Sequence, residues 1–274
     1  MIFNLNSGKN LTIGKKTLIM AILNITPDSF SDGGKFNSID TAKRHVEELI
    51  DSGADIIDIG AESTRPGFNP ISADEEITRL EPILKAMVKD CPIPISVDTY
   101  KSKTAEVAIN LGADIINDIH GLQYEAEPLA MAKVAAKYDV PVVAMHNNKA
   151  ESIIDDVKQY FERTLTIADE VGLNRKNIIF DPGIGFGKTQ EQNLEVLRRL
   201  DELKTIDGVE YPMLLGVSRK SVIGYSIGLD VNNRDEATGA LCVIGITKGI
   251  NIVRVHNVEM IAKMCKMTDL ILDK

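Results

Sequence analysis

At 274 residues, with 44% hydrophobic and 26% charged side chains, the chain has the composition of an ordinary globular protein, which excludes disordered, collagen-like and coiled-coil classes. A formal charge of −9 and a pI of about 5.1 argue against nucleic acid as the main partner, although local clusters of Arg, Lys and backbone N–H groups can still hold a small anion. Mean hydropathy is −0.03, no long uncharged apolar run occurs, and Met1-Ile2-Phe3-Asn4 begins no basic-then-apolar leader, so neither a membrane span nor a secretory signal is expected.

In chain order, residues 1–16 read as a short hairpin turning at Asn6-Ser7-Gly8-Lys9. Eight near-continuous apolar runs follow: Leu18–Leu23, Asp55–Gly60, Pro94–Thr99, Asp114–Ile119, Pro141–His146, Asn177–Pro182, Pro212–Val217 and Ile252–His256. Such runs mark parallel strands buried on both faces. Between them lie amphipathic stretches such as Thr41–Ser52, Asp74–Lys89, Lys101–Leu111, Asp155–Val171 and Gln190–Leu203. Ser38 or Asp40 is placed to cap the first, and Ser72 with Glu75 forms an S-x-x-E box before the second. Alternation of strand and helix means βαβ units. Their number predicts an α/β fold, a single (β/α)8 TIM barrel domain over residues 1–274 with the hairpin as an N-terminal plug, ahead of an open doubly wound sheet. The three cysteines, Cys91, Cys242 and Cys265, are odd in number and widely spaced, which fits a reducing cytoplasm rather than a disulfide framework.

An internal echo supports the barrel. Gly53-Ala54-Asp55-Ile56-Ile57-Asp58 returns as Gly112-Ala113-Asp114-Ile115-Ile116-Asn117 and, more loosely, as Gly249-Ile250-Asn251-Ile252-Val253-Arg254. These would be strands 2, 4 and 8, and alternate strands feed one interior layer, so Asp58, Asn117 and Arg254 are expected at one level near the C-terminal mouth.

Barrel chemistry sits on the loops that follow the strands. Strand 1 leads into the polar segment Asn24–Gly34, with Phe30 in it and Phe36 near it, which composition alone reads better as a solvated turn. Strand 2 leads into Glu62-Ser63-Thr64-Arg65-Pro66-Gly67. Asp98, Asn117 and Asp181 end strands 3, 4 and 6 and offer donors and acceptors suited to a flat heterocycle, although each, Asp181 above all, could instead cap the next helix. Ser218-Arg219-Lys220-Ser221 after strand 7 reads as an anion site at a helix N-terminus or as a basic turn. In strand 8, Arg254 and His256 are two apart and share a face, which points to a phosphate. The run Gly183-Ile184-Gly185-Phe186-Gly187-Lys188-Thr189 is not a nucleotide cradle: a P-loop needs Gly where Pro182 stands, and G-x-G-x-x-G needs Gly where Lys188 stands. It reads as a flexible loop carrying Phe186 over a pocket. No zinc spacing and no nucleophile elbow occurs.

The segments NITPDSFSDGG (24–34), ESTRPG (62–67), SVDTYK (96–101), INDI (116–119), FDPGIGFGK (180–188), GVSRKS (216–221) and RVH (254–256) resemble, in order and spacing, the dihydropteroate synthase family. The resemblance implies a barrel joining (7,8-dihydropterin-6-yl)methyl diphosphate to 4-aminobenzoate, with Mg2+ on the leaving diphosphate. It further implies pterin contacts at Asp98, Asn117, Asp181 and Lys220, and diphosphate contacts at Asn24, Thr64, Arg254, Val255 and His256, with Asn24 also the metal ligand. Phe30, Arg65, Pro66, Phe186 and Ser221 would frame 4-aminobenzoate, and Asp98, Lys220, Arg254 and His256 would carry the catalysis. A cytoplasmic homodimer acting on small molecules, with no nucleic-acid or membrane partner, is expected. Asn147-Asn148-Lys149 and His120-Gly121 depart from the family pattern. A corrinoid-type pterin methyltransferase would not need the diphosphate-binding segments, and a non-catalytic pterin-binding relative would show losses at Asn24, Arg65, Lys220 or His256, all of which are present.

Overall fold

The computed structural model describes residues 1–25, 35–62 and 69–274. The order of elements is β1 Ile2–Asn4, β2 Asn10–Thr12, β3 Leu18–Asn24, α1 Lys35–Asp51, β4 Ile56–Gly60, α2 Ala73–Met87, β5 Ile95–Asp98, α3 Ser102–Leu111, β6 Ile115–Asp118, α4 Ala130–Tyr138, β7 Val142–Met145, α5 Ile153–Val171, β8 Ile178–Asp181, α6 Gln190–Arg198, β9 Thr205–Ile206, β10 Val209–Glu210, β11 Leu214–Leu215, α7 Ser221–Ile227, α8 Asp235–Thr247, β12 Ile252–Val255 and α9 Val258–Ile271. Eight of these strands form one parallel sheet in the order β11-β12-β3-β4-β5-β6-β7-β8. A parallel bridge between Phe180 and Met213 joins the last strand back to the first. The predicted barrel is therefore what the chain builds, and each of its strands lies within a predicted run except β3, which runs one residue further, to Asn24.

The echo has a structural cause. Gly53, Gly112 and Gly249 precede their strands at φ +103°, +108° and +96°, a left-handed turn that reverses the chain from helix to strand. At Gly112 a side chain would also run into Val88, so that turn admits glycine alone.

Side chains alternate across each strand, so every second residue faces the barrel interior. One interior layer, Met20, Ile56, Ile115, Val143, Ile179, Leu214 and Ile252, is apolar, and Phe3, Leu5, Leu11 and Ile13 of the hairpin cover it from below. The other strand faces pack against the helices in the main core, with Phe161 and Phe180 stacked at 4.1 Å between ring centroids. The N-terminal hairpin is thus the floor of the barrel, as expected of it.

Local signals were mixed. α1 begins at Lys35, which puts Ser38 and Asp40 inside the helix rather than at its cap. Ser72 accepts the Glu75 N–H at 3.2 Å, but the Glu75 carboxylate takes Arg79, so only half of the predicted box forms. A complete capping box stands instead at Thr189 and Gln192. No helix among the described residues is long and apolar enough to cross a membrane.

Candidate active site

Two residues further up the strands, the apolar floor becomes polar. Ile56 gives way to Asp58, Ile115 to Asn117, Ile179 to Asp181 and Ile252 to Arg254, while β5 brings Ser96 and Asp98 inward. Asp58, Asn117 and Arg254 do meet: Arg254 Nε donates to Asp58 Oδ2 at 2.6 Å, and Asn117 Nδ2 donates to the same oxygen at 3.0 Å. Arg254 also reaches Asp98, its Nη2 lying 2.6 Å from Oδ2. One guanidinium therefore ties two carboxylates. The Asp58 half of that bridge is the one expected from their shared layer; the Asp98 half was not foreseen, because sequence spacing gives a face and a level but no partner across the barrel.

The electrostatics follow from burial. Withdrawal from water pushes the Asp98 carboxyl above its ordinary range, and Asp58 adds to this while Arg254 and Lys220 oppose it. Burial also works against the Arg254 charge, but Asp58 and Asp98 outweigh it and hold the guanidinium above its usual value. Asp58 Oδ1, Asp98 Oδ1 and Ser96 Oγ are buried with no hydrogen-bond partner among the described residues. Buried acceptors without donors are costly, and a ligand rich in N–H donors would relieve that cost.

Asp181 and Lys220 line the other side. Asp181 Oδ1 accepts the Gly183 N–H at 2.7 Å, a tight turn rather than a cap, since α6 begins only at Gln190 with Thr189 as its cap. Burial raises the Asp181 carboxyl, and Lys220, the Gly183 N–H, Lys188 and Arg254 pull it back. Burial lowers Lys220 to about 8 against the pull of Asp181. Lys220 Nζ donates to the Ile184 carbonyl and lies 4.7 Å from the centre of the Phe186 ring, so Phe186 does cover this part of the mouth. Ser221 follows as the first residue of α7.

His256 Nδ1 pairs with Ser218 Oγ at 2.8 Å, and that oxygen also accepts the His256 N–H at 3.2 Å, binding the ends of β11 and β12 together. Val255 packs its side chain into the outer core, so only its main chain is available to a ligand at the mouth. Asn24 ends β3 exposed at the rim. Phe30, Thr64, Arg65 and Pro66 lie outside the described residues.

Two readings are corrected. Arg219 is not an open anion-binding cation: its Nε and Nη2 grip Asp235 at 2.6 and 2.8 Å, and its carbonyl accepts Arg234 Nη1. Lys220 is the cation of that segment that faces the cleft. The Gly183–Thr189 loop is not a flexible arm either. Gly185 N donates to Asn193 Oδ1 at 2.7 Å, and Lys188 Nζ donates to the Gly183 and Phe186 carbonyls at 2.9 and 3.2 Å. Sequence reasoning also missed a buried cluster at the base of the 63–70 segment, where Lys101 holds Glu62 and Glu76, and Glu62 Oε1 accepts the Ile71 N–H at 3.2 Å.

Among the described residues no group of three or more His, Cys, Asp or Glu side chains is placed to hold a metal ion. The polar mouth combines carboxylates, an amide and two inward cations, a set fitted to orient a heterocycle and balance an anionic group rather than to attack covalently.

Comparison with known proteins agrees with this arrangement. The profile of a family described as pterin binding enzyme matches residues 20–256. A dihydropteroate synthase of Clostridium beijerinckii is 52% identical over 267 residues, covering 96% of this chain and 97% of its own length. A crystal structure of a Clostridium difficile dihydropteroate synthase in the presence of pteroic acid superposes with a TM-score of 0.90 at 47% identity, covering 96% of this chain and 100% of that one. The Xanthomonas albilineans dihydropteroate synthase with 4-aminobenzoic acid gives a TM-score of 0.90 at 30% identity, over 100% of this chain and 98% of that one.

Proposed function

The chain belongs to the dihydropteroate synthases of the pterin-binding enzyme family, and on that premise we propose how its own residues divide the work of condensing (7,8-dihydropterin-6-yl)methyl diphosphate with 4-aminobenzoate. The reaction, a step of folate biosynthesis, gives 7,8-dihydropteroate and diphosphate.

The pterin lies in the cleft against Asp98, Asn117, Asp181 and Lys220. The single observation that carries this is the convergence of three acceptor residues, Asp98, Asn117 and Asp181, at the ends of β5, β6 and β8 on one mouth, with Asp98 Oδ1 buried and unpartnered among the described residues. Arg254 and His256, with the Val255 main chain, Asn24 and Thr64, take the diphosphate. Phe186 and Ser221, with Phe30, Arg65 and Pro66, frame 4-aminobenzoate.

The bond from the pterin methylene to diphosphate oxygen breaks first, its electron pair leaving with the diphosphate, and the pterin ring delocalises the cation. Asp98, next to that centre, stabilises the positive charge, and Arg254 and His256 balance the leaving group. The aniline nitrogen of 4-aminobenzoate, neutral at pH 7, attacks the methylene cation without a strong base, and the proton it sheds on forming the C–N bond passes to solvent or to the departing diphosphate. No nucleophile or base dyad is needed, in keeping with the residues of the mouth. Phe186 excludes water, which would otherwise capture the cation.

Asn24 offers one neutral amide oxygen at an exposed rim. That donor set suits Mg2+ arriving with the diphosphate, since this ion keeps waters and binds mainly through substrate phosphates. Bound there, it would neutralise charge building on the leaving group.

We place the enzyme in the cytoplasm, a reading supported by three buried cysteines that stand unpaired, and as a homodimer, supported by the exposed apolar side chains Tyr225, Ile227 and Ile244 on α7 and α8. The test of the catalytic reading is diphosphate release with Mg2+, with and without 4-aminobenzoate. Release that depends on 4-aminobenzoate and yields dihydropteroate supports it. Pterin binding without release would leave a non-catalytic pterin binder.

A further inference from the structure

Behind Asp181 lies a cluster that the division of labour above leaves without a task. The Lys188 ammonium turns inward onto three acceptors, the Gly183 carbonyl at 2.9 Å, the Phe186 carbonyl at 3.2 Å and His146 Nδ1 at 2.6 Å. Three N–H donors meet three acceptors, so His146 must present a lone pair at Nδ1 and carry its proton on Nε2. That Nε2–H points to Asp156 Oδ2 at 2.7 Å, and Asn148 Nδ2 donates to the other Asp156 oxygen at 3.4 Å. Asn148, one of the departures from the family pattern, thus belongs to this cluster.

The main chain closes on the same group. His146 N donates to the Asp181 carbonyl at 2.9 Å. Gly183 runs at φ +67° so close to the His146 carbonyl that any side chain there would overlap it. The Gly183–Thr189 turn is therefore clamped to the end of β7. Its inner face supplies the Ile184 carbonyl that accepts Lys220 and the Phe186 ring beside Lys220.

Resting on the reading of Asp181 and Lys220 as pterin contacts, we infer that Lys188 is a positioning residue of the reaction, seated on His146 and Asp156, which sets the turn that orients Lys220 and Phe186 and keeps Asp181 ionised for the pterin. A neutral amide could satisfy carbonyls here without the cost of desolvating a charge, so the ammonium needs a reason, and the anion at hand is Asp181, whose Oδ1 takes the N–H of the same Gly183 whose carbonyl takes Lys188. The charged groups acting on Asp181 are Lys220, Lys188 and Arg254, all cations. Those acting on Lys188 are Asp181 and Asp156, which favour its charge, and Lys220, which opposes it, with burial lowering it to about 7.

The test uses the full-length enzyme and Lys188→Met, Lys188→Gln and His146→Asn, with pH profiles of kcat/KM for each substrate and fluorescence titration with 6-hydroxymethylpterin. A parent that releases no diphosphate with 4-aminobenzoate overturns the functional reading itself, before any variant is compared. With an active parent, both lysine variants are expected to weaken pterin binding about tenfold and to move the acid limb of kcat/KM for the pterin substrate up by about half to one pH unit, by loss of a nearby cation. His146→Asn retains the cation, so its acid limb stays while KM for 4-aminobenzoate rises. Lys188→Gln keeps amide donors toward the carbonyls and covers the case in which Lys188→Met fails to fold. A folded lysine variant with the parental acid limb and parental pterin affinity overturns the inference and leaves Lys188 a loop staple.

Discussion

The floor and the mouth of the barrel are built on the same strands, one step of the pleat apart. On the floor, Met20, Ile56, Ile115 and Ile252 pack on top of the N-terminal hairpin, and nothing there can bind or react. At the mouth, Asp58, Asn117 and Arg254 occupy the next inward positions and hold one another by charge-assisted hydrogen bonds. The floor contributes stability through apolar area removed from water. The mouth buries charges whose mutual attraction roughly offsets their desolvation, so its contribution to stability is small while each partner remains and large once one is lost. The fold is therefore secured at one end, and chemistry is arranged at the other.

Removing the shared cation should give the largest effect. Arg254→Met leaves Asp58 and Asp98 facing each other without a counter-charge, and is expected to destabilise by about 3–5 kcal/mol while lowering kcat/KM about a thousandfold. Denaturant titration and steady-state kinetics check both at once, and a stable, active variant would sink the assignment of the ion-pair chain. On the floor, Met20→Ala should cost a similar 2–5 kcal/mol or so through the cavity it opens, yet leave kcat/KM unchanged at temperatures where the variant is folded. Loss of activity in the folded variant would show that the two layers are coupled.

Between these extremes, Asp98→Asn separates charge from geometry. It retains an oxygen for Arg254 but removes the anion beside the developing cation, so kcat is expected to fall about a hundredfold or more, while the melting temperature holds, because Arg254 keeps Asp58 as its counter-charge and burial already disfavours the Asp98 charge. Full kcat in that variant would remove the electrostatic role of Asp98 from the mechanism. Asp58→Asn should be milder: with Arg254 held less firmly, diphosphate affinity drops by about fivefold to tenfold, roughly one lost hydrogen bond to a charged group. Unchanged affinity in a competition titration with inorganic diphosphate would make Asp58 a bystander.

The contrast also explains what the sequence could and could not tell. The eight strands and the shared level of Asp58, Asn117 and Arg254 were legible because both depend on period-2 alternation and on glycines that end helices, which are local. The Arg254–Asp98 pair was not legible, since 156 positions separate its members and only the closed sheet brings them together. The Gly183–Thr189 loop was visible but misread: its three glycines signal freedom in isolation, and only the His146 and Asn148 carbonyls, in the segment after β7, turn that freedom into a clamp. Arg219 misled for the converse reason, because its partner Asp235 belongs to a helix that begins after a second turn.

The smallest expected effect lies where floor-like burial meets a mouth-like charge, at His146. Burial first, and Lys188 second, lower its pKa from the ordinary 6.5 to about 4, although Asp156 resists this. The unfolded chain therefore takes up a proton below pH 6.5 that the folded chain refuses until about 4, so this residue's contribution to stability is present at neutral pH and is lost as pH falls through that window. Asp181 and Asp118, whose carboxyls burial pushes upward, bias the whole-protein curve in the opposite direction, so the shape of the parent's curve alone does not report on His146. The difference between parent and His146→Gln does, because the carboxyls are common to both. Urea titrations across the window should show the parent's advantage over His146→Gln shrinking steadily toward pH 4. A constant difference would mean that His146 is already protonated when folded, and that Lys188 cannot be donating to its Nδ1.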